Sequence, residues 1–346
     1  MLLTPEEIKQ QTRELWRTCF QDSEEFMDIY FEDKYTDAAN ITCRPDGRVA
    51  AAAQILPYSM KFYGSVVHAG YVSGLATLPA YRGRGLAAQI LREAHRRLYR
   101  QGAVLSFLIP GSEELRRFYE DPRHGAYWTS TYRAEVRLTA DSPDDGKTEV
   151  SCPDDWSDDL YVFYRRHTVR TPFILHASRS DFFAALDLCD LEGGCVLTAR
   201  RHRRMVGLCL AVPADGGSYR VRALCATDDH VLQAFARYLA NRFGATSVCD
   251  LLAVPGSAAG AQPYAMSRVV HVEKFLRTVV LAHPGFRLHI GVDGDLDVPE
   301  NNGYYLVQDG RVSVTDRRPA NIVTPGGLAA MFLGAQPVQM RMMLDE

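Results

Sequence analysis

Apolar residues recur along this chain in two rhythms that exchange places. Positions 8, 15, 16, 19 and 20, and later positions 86, 90, 94 and 98, repeat at helical spacing and bury one face of a helix. Thr4-Pro5-Glu6-Glu7 supplies a capping box with proline at the first helical position. Asp22, with Glu25 three residues on, predicts a second start running through Phe26, Ile29, Tyr30 and Phe31. The rhythm then turns to strands. Residues 41–43 and 49–56 read as a hairpin around Pro45-Asp46-Gly47, and further strands follow near 60–63 and 66–78. After the helix at 86–98, stopped by Gly102, come a strand at 104–109 and a short helix at 112–119.

The same succession returns later: a hairpin at 195–199 and 205–212, a strand at 219–226, a helix at 231–243 and a strand at 246–253. A third segment begins near His283 with an alternating strand at 286–292. Strands at 303–307 and 312–314 flank an Asp309-Gly310 turn, and a helix opens at Thr324-Pro325 and stops at Gly334. Pro143-Asp144-Asp145-Gly146-Lys147 reads as a linker. A chain of 346 residues is long enough for two or three cores, and these breaks divide it into domains 1–147, 148–282 and 283–346.

The chemistry concentrates where a strand meets a helix. Gly74-Leu75-Ala76-Thr77-Leu78-Pro79-Ala80-Tyr81 runs into Arg82-Gly83-Arg84-Gly85-Leu86-Ala87. The two glycines permit left-handed backbone, the helix start leaves amides unpaired, and two arginines add full positive charge: a pocket for a pyrophosphate. At the equivalent junction of the second copy stands Ala226-Thr227-Asp228-Asp229-His230, whose carboxylates repel such a group.

This loop resembles the coenzyme A loop of the GCN5-related N-acetyltransferases (GNAT), which have the same strand before it and the same helix, strand and short helix after it. The order of the three segments is similar to that of the Enhanced intracellular survival (Eis) acetyltransferases. Residues 266–276 look like the stretch leading out of the middle domain of those proteins, and the third segment here is short. The resemblance implies a mixed α/β (α+β) fold of tandem GNAT-like mixed-sheet domains, the second degenerate, followed by a small sterol-carrier-like α+β domain. It implies acetyl-CoA as co-substrate, gripped by Arg82, Gly83, Arg84, Gly85, Leu86 and Ala87 and paired along Leu75, Ala76 and Thr77. A backbone amide at Thr77 or Leu78 would polarise the thioester carbonyl. Tyr119 is the implied general acid. The implied base is the chain's own C-terminal carboxylate at Glu346, while Asp22, Glu24, Glu25 and Asp28 are alternative holders of a cationic amine. The acceptor would be a primary amine (a polyamine, an aminoglycoside or a lysine side chain), and the family's symmetric assemblies imply a homo-oligomer. The competing reading is a non-catalytic coenzyme A-sensing or ligand-binding protein.

Composition narrows the rest. Hydrophobic residues make up 47% and charged residues 23%, and the net charge of −3 gives no electrostatic case for nucleic acid or an anionic membrane. Arg200-Arg201-His202-Arg203-Arg204 falls between two strands and reads as a solvated hairpin tip. The eight cysteines form no Cys-x-x-Cys pair and the histidines do not cluster, so free thiols and no metal are expected. With an acidic N-terminus and no long apolar run, the expected location is the cytoplasm.

Overall fold

The computed structural model describes residues 3–140, 145–244, 247–252 and 254–342. They fall into two compact units, one drawn from the described residues within 1–132 and 253–339, the other from those within 133–252 and 340–346.

In the first unit, α1 (Pro5–Cys19) opens on the expected box: the Glu7 amide donates to Thr4 Oγ1 at 3.2 Å and the Thr4 amide to the Glu7 carboxylate at 2.7 Å. The next helix, α2 (Glu24–Ile29), is capped by Ser23 instead of Asp22. Asp22 is engaged elsewhere, accepting the indole N–H of the buried Trp16 at 2.7 Å; an indole taken into a core needs such an acceptor.

The central sheet of this unit contains β1 (Asn40–Cys43), β2 (Ala51–Phe62), β3 (Ser65–Thr77), β4 (Leu105–Leu108), β5 (Trp128–Thr129) and β6 (Met266–Val269). Within the unit they lie in the order β1-β2-β3-β4-β6-β5, with β3 and β4 parallel and the other pairs antiparallel. Between β3 and β4, helix α3 (Leu86–Gln101) sets Ile90, Leu91, Ala94 and Leu98 into the core against Ile55, Val72 and Tyr127. Gly102, left-handed at φ 76°, ends it by donating to the Leu98 and Tyr99 carbonyls. A short helix, α4 (Glu113–Glu120), follows β4, capped by Ser112.

Both units are discontinuous in sequence. Residues 266–269 lie between β4 and β5 in the first sheet, and the strand Tyr132–Leu138 pairs with Ser247–Leu252 in the second unit. All four residues of β6 are buried, Arg268 among them, its charge met by Asp295 and Asp297 further along the chain. No local pattern announces such a strand.

After α5 (Val272–Ala282), a small sheet of β7 (Leu288–Val292), β8 (Gly303–Gln308), β9 (Arg311–Thr315) and β10 (Ile322–Val323) has the order β9-β8-β7-β10. Asp309 and Gly310 make the β8–β9 turn with φ of 51° and 73°, as their sequence demands. The last helix, α6 (Pro325–Leu333), is capped by Thr324.

The second unit has its own sheet, in the order Tyr132–Leu138, Ser247–Leu252, Ser218–Ala226, Arg204–Ala214, Cys195–Arg201, Glu149–Ser151. The helix Asp229–Phe243 packs Val231, Phe235 and Leu239 on Leu197 and Cys209, while Phe182 and Leu186 cover Val196 and Leu208 on the opposite face. His202 and Arg203 take left-handed backbone at the tip of the arginine-rich hairpin.

Candidate active site

Strand β3 pairs with β4 only over Ala69–Tyr71, matched to Leu105–Phe107, and beyond that point the two part. The register of β3 on β2 slips between Ala52 and Gln54, where Gly74, at φ 60°, supplies the extra residue of a bulge. This bend leaves the β4-facing edge of residues 75–77 open. Leu78 donates its amide to Ala50 O at 2.9 Å, so Leu78 is spent on β2. By strand alternation Thr77 turns its amide and carbonyl to the open edge, where the carbonyl accepts from Arg82 Nε at 3.3 Å and Cys19 Sγ at 3.6 Å. Of the two amides expected to polarise a carbonyl, that of Thr77 alone faces the opening.

The loop after β3 folds as its glycines require: Gly83 and Gly85 both sit at φ 75°. Gly85 is the N-cap residue of α3 and brings no side chain to cap it, so the first-turn amides and the dipole of a 16-residue helix point at the opening. A Cβ on either glycine would meet nothing within 4 Å, so they are needed for backbone conformation alone.

A cleft of about 730 Å³ joins these parts. Leu75, Ala76, Thr77, Arg82, Gly83, Gly85, Leu86, Ala87 and Tyr119 all line it. Arg84 does not. Its guanidinium lies 4.9 Å over the Tyr81 ring and donates to Ala80 O at 3.2 Å, while Tyr81 is tied to Asp46 at 2.8 Å. Glu346 lies outside the described residues.

Tyr119 lies in the last turn of α4 and is 7% exposed. Burial pushes its phenol up to about 12, and no hydrogen bond engages its hydroxyl among the described residues. Two further residues of the cleft carried no signal in the sequence: Phe20, and His124, whose ring stacks on Phe118 at 3.8 Å with Nδ1 buried and unbonded. Of the four early carboxylates, Asp22 serves Trp16, Glu24 pairs with Arg13 and Arg17, and Asp28 pairs with Arg13; Glu25 has no partner among the described residues.

The matching junction of the second unit is closed. Asp228 caps the helix Asp229–Phe243 through Val231 N at 3.3 Å and pairs with Arg201 at 2.6 Å, which holds its carboxyl near 2. A fixed carboxylate thus occupies the helix end that stays uncapped at Gly85. Among the described residues no His, Cys, Asp and Glu group is arranged to hold a metal, and no helix is long and apolar enough to cross a membrane.

Beneath Tyr119 lies a polar cluster that spacing could not reveal. His95 bonds Asp297 Oδ2 through Nδ1 and the Tyr127 hydroxyl through Nε2, both at 2.7 Å; Tyr127 also bonds Ser106 Oγ at 2.7 Å.

Residues 2–121 match the family of acetyltransferase (GNAT) domains. Among solved structures, the chain is similar to a probable N-acyltransferase from Enterococcus faecalis (TM-score 0.76, 17% identity, covering 97% of this chain and 88% of that one). It is similar to a GCN5-related N-acetyltransferase from Anabaena variabilis (TM-score 0.72, 16% identity, 96% of each chain). A third is Eis1 from Mycobacterium abscessus (TM-score 0.73, 15% identity, 96% of this chain and 88% of that one). At such identities the likeness is one of fold. No curated protein sequence matches. Residues 2–121 are a GNAT acetyltransferase domain, and on that domain the chain is an N-acetyltransferase.

Proposed function

We propose that this protein transfers the acetyl group of acetyl-CoA directly to a primary amine (a polyamine, an aminoglycoside or a lysine-like side chain) with Tyr119 as general acid. The observation that carries the reading is the shared cleft: the open edge of β3, the uncapped end of α3 and the Tyr119 ring all line it. The pyrophosphate belongs at the Gly83–Gly85 turn with Arg82, and the pantetheine arm along residues 75–77, where it adds to the sheet edge by backbone pairing.

An amine of ordinary pKa is neutral in only about one molecule in 2,500 at pH 7, a cost of ~4.6 kcal/mol, so a base must take its proton. The carboxylate of Glu346 is proposed for that step. The freed nitrogen attacks the carbonyl carbon while the Thr77 amide meets the developing oxyanion. The C–S bond then breaks, the sulfur takes the hydrogen of Tyr119, a phenol that burial keeps protonated, and the acylated nitrogen gives up its remaining extra proton to restore the phenol.

Residues 148–282 are proposed as a degenerate GNAT-like copy without a coenzyme site, supported by the Asp228 cap on the helix Asp229–Phe243. The segment from about 283 is proposed as the short sterol-carrier-like domain of an Eis-like arrangement, supported by a likeness to Eis1 over 96% of this chain. Free-thiol release from acetyl-CoA, read against a panel of amines, tests the activity. Turnover on at least one amine supports it. Tight coenzyme binding with no turnover on any points to the coenzyme A-sensing alternative.

A further inference from the structure

We infer that a buried hydrogen-bonded chain, Asp297–His95–Tyr127–Ser106, sets the aim of Tyr119, which makes Tyr127 and His95 positioning residues for acetyl transfer although neither lines the cleft. This rests on the proposed role of Tyr119 as general acid.

With no bond to the Tyr119 hydroxyl among the described residues, its direction is fixed by what packs on its ring. One wall is Tyr127, which meets it nearly edge-on at 6.2 Å and 73° and donates its backbone amide to Tyr119 O at 2.9 Å. Tyr127 is itself immobilised. Its ring is fully buried, and its hydroxyl is bonded on two sides, to His95 and Ser106.

Neighbouring charges fix the direction of each bond. Asp297 faces Arg268 at 3.6 Å and Arg92 at 3.7 Å, which hold it as a carboxylate. His95 Nδ1 therefore carries the hydrogen and donates to Asp297, and Nε2 is left to accept from the Tyr127 O–H. The Tyr127 oxygen then accepts from Ser106. Every bond in the chain has one hydrogen and one acceptor, so the phenol of Tyr127 has a single satisfied orientation.

The same cluster holds the turn that joins α4 to β5. Arg268 donates to Gly125 O at 2.8 Å and is anchored by Asp295 at 2.5 Å, which in turn accepts from Asn301 at 2.9 Å. Residues 125 and 127 are thus pinned from below by side chains of α3, β6 and the 295–301 segment. Buried ionic clusters of this kind are often replaceable by apolar packing without loss of stability. What apolar packing would not supply is a fixed ring orientation directly behind Tyr119.

The test is a double-mutant cycle on full-length enzyme, measured with the amine that gives best turnover. Tyr127→Phe keeps the ring and removes both hydroxyl bonds. It is expected to lower kcat about tenfold, with KM for acetyl-CoA changed less than about twofold. Combined with Tyr119→Phe, it is expected to add no further loss, because its effect passes through Tyr119. An unaltered kcat for Tyr127→Phe, or losses that multiply in the double variant, overturns the inference and leaves the cluster a matter of stability alone. If Tyr119→Phe is slow and Tyr127→Phe is not, only this inference fails. If Tyr119→Phe is fully active, the general-acid reading falls with it. Asp297→Asn probes the far end of the same chain and gives the same cycle should Tyr127→Phe yield no folded protein.

Discussion

A Cβ on residue 74 would lie 2.0 Å from Cζ3 of Trp16, so the indole already fills the space that any side chain at that position would need. Gly74 also sits at φ 60°, where an L-residue is strained. Trp16 is buried and bonded to Asp22, so it has nowhere to retreat. Gly74→Ala therefore carries both overpacking and backbone strain, together about 2–4 kcal/mol. Because Gly74 makes the bulge that opens the edge of β3, acetyl-CoA affinity should fall as well. Chemical denaturation and calorimetric titration with acetyl-CoA check the two effects. A stable variant that binds normally would show that the bulge can form without glycine.

Arg82 and Arg84 look equivalent in sequence, yet only Arg82 lines the cleft. Arg82→Ala should remove a charge-assisted phosphate contact of roughly 1.5–3 kcal/mol, about tenfold or more in Kd for coenzyme A. Arg84→Ala should cost much less, since that guanidinium is stacked on Tyr81. Titration calorimetry on the two variants separates them. The same experiment should give one site per chain, because the second helix end is held by Asp228.

Tyr119→Phe should lower kcat at least about tenfold while acetyl-CoA affinity stays nearly constant, since it removes a proton donor and little contact area. The phenol stands at about 12 because it is buried. Its folded value is thus raised above the ordinary 10.0. The stability it contributes is present below pH 10 and is lost as pH rises towards 12. An absorbance titration of wild type minus Tyr119→Phe should show one phenol ionising near 12, and a difference curve centred at 10 would count against its burial.

Local grammar made much of this molecule legible. The Thr4–Glu7 box, the Gly102 stop, the Asp309-Gly310 turn and the loop at 82–87 depend on neighbours a few residues apart, and each formed where its residues predict. The contrast between Gly85 and Asp228 was visible for the same reason, as each acts on its own helix end. Long-range pairing was not legible. Residues 266–269 join the first sheet because Arg268 finds Asp295 and Asp297, and α2 starts at Ser23 because Trp16 takes Asp22. The Asp297–His95–Tyr127 chain joins residues 202 and 32 positions apart, beyond any periodic pattern.

That chain also makes an acid-stability prediction. Burial first, then the charge of Arg268, lowers the pKa of His95 below its ordinary 6.5, against the opposing pull of Asp297. The unfolded chain accepts a proton below pH 6.5 that the folded protein refuses. The stability contribution of neutral His95 is therefore complete above 6.5 and is lost as pH falls from there towards its folded value, at up to about 1.4 kcal/mol per pH unit. Asp297 acts in a lower window. Burial would raise it, but the hydrogen bond from His95 and the charges of Arg268 and Arg92 outweigh burial and hold it below 3.8, so its contribution is lost only under more acid conditions. His167 and His271 are lowered by burial too, so the wild-type slope is a sum. The isolating measurement is unfolding free energy against pH for wild type and His95→Gln, a variant that can still accept from Tyr127 and donate to Asp297. The wild type should lose more stability than His95→Gln between pH 6.5 and about 5, by up to one proton's worth. Parallel curves would mean that His95 does not resist protonation in the folded protein.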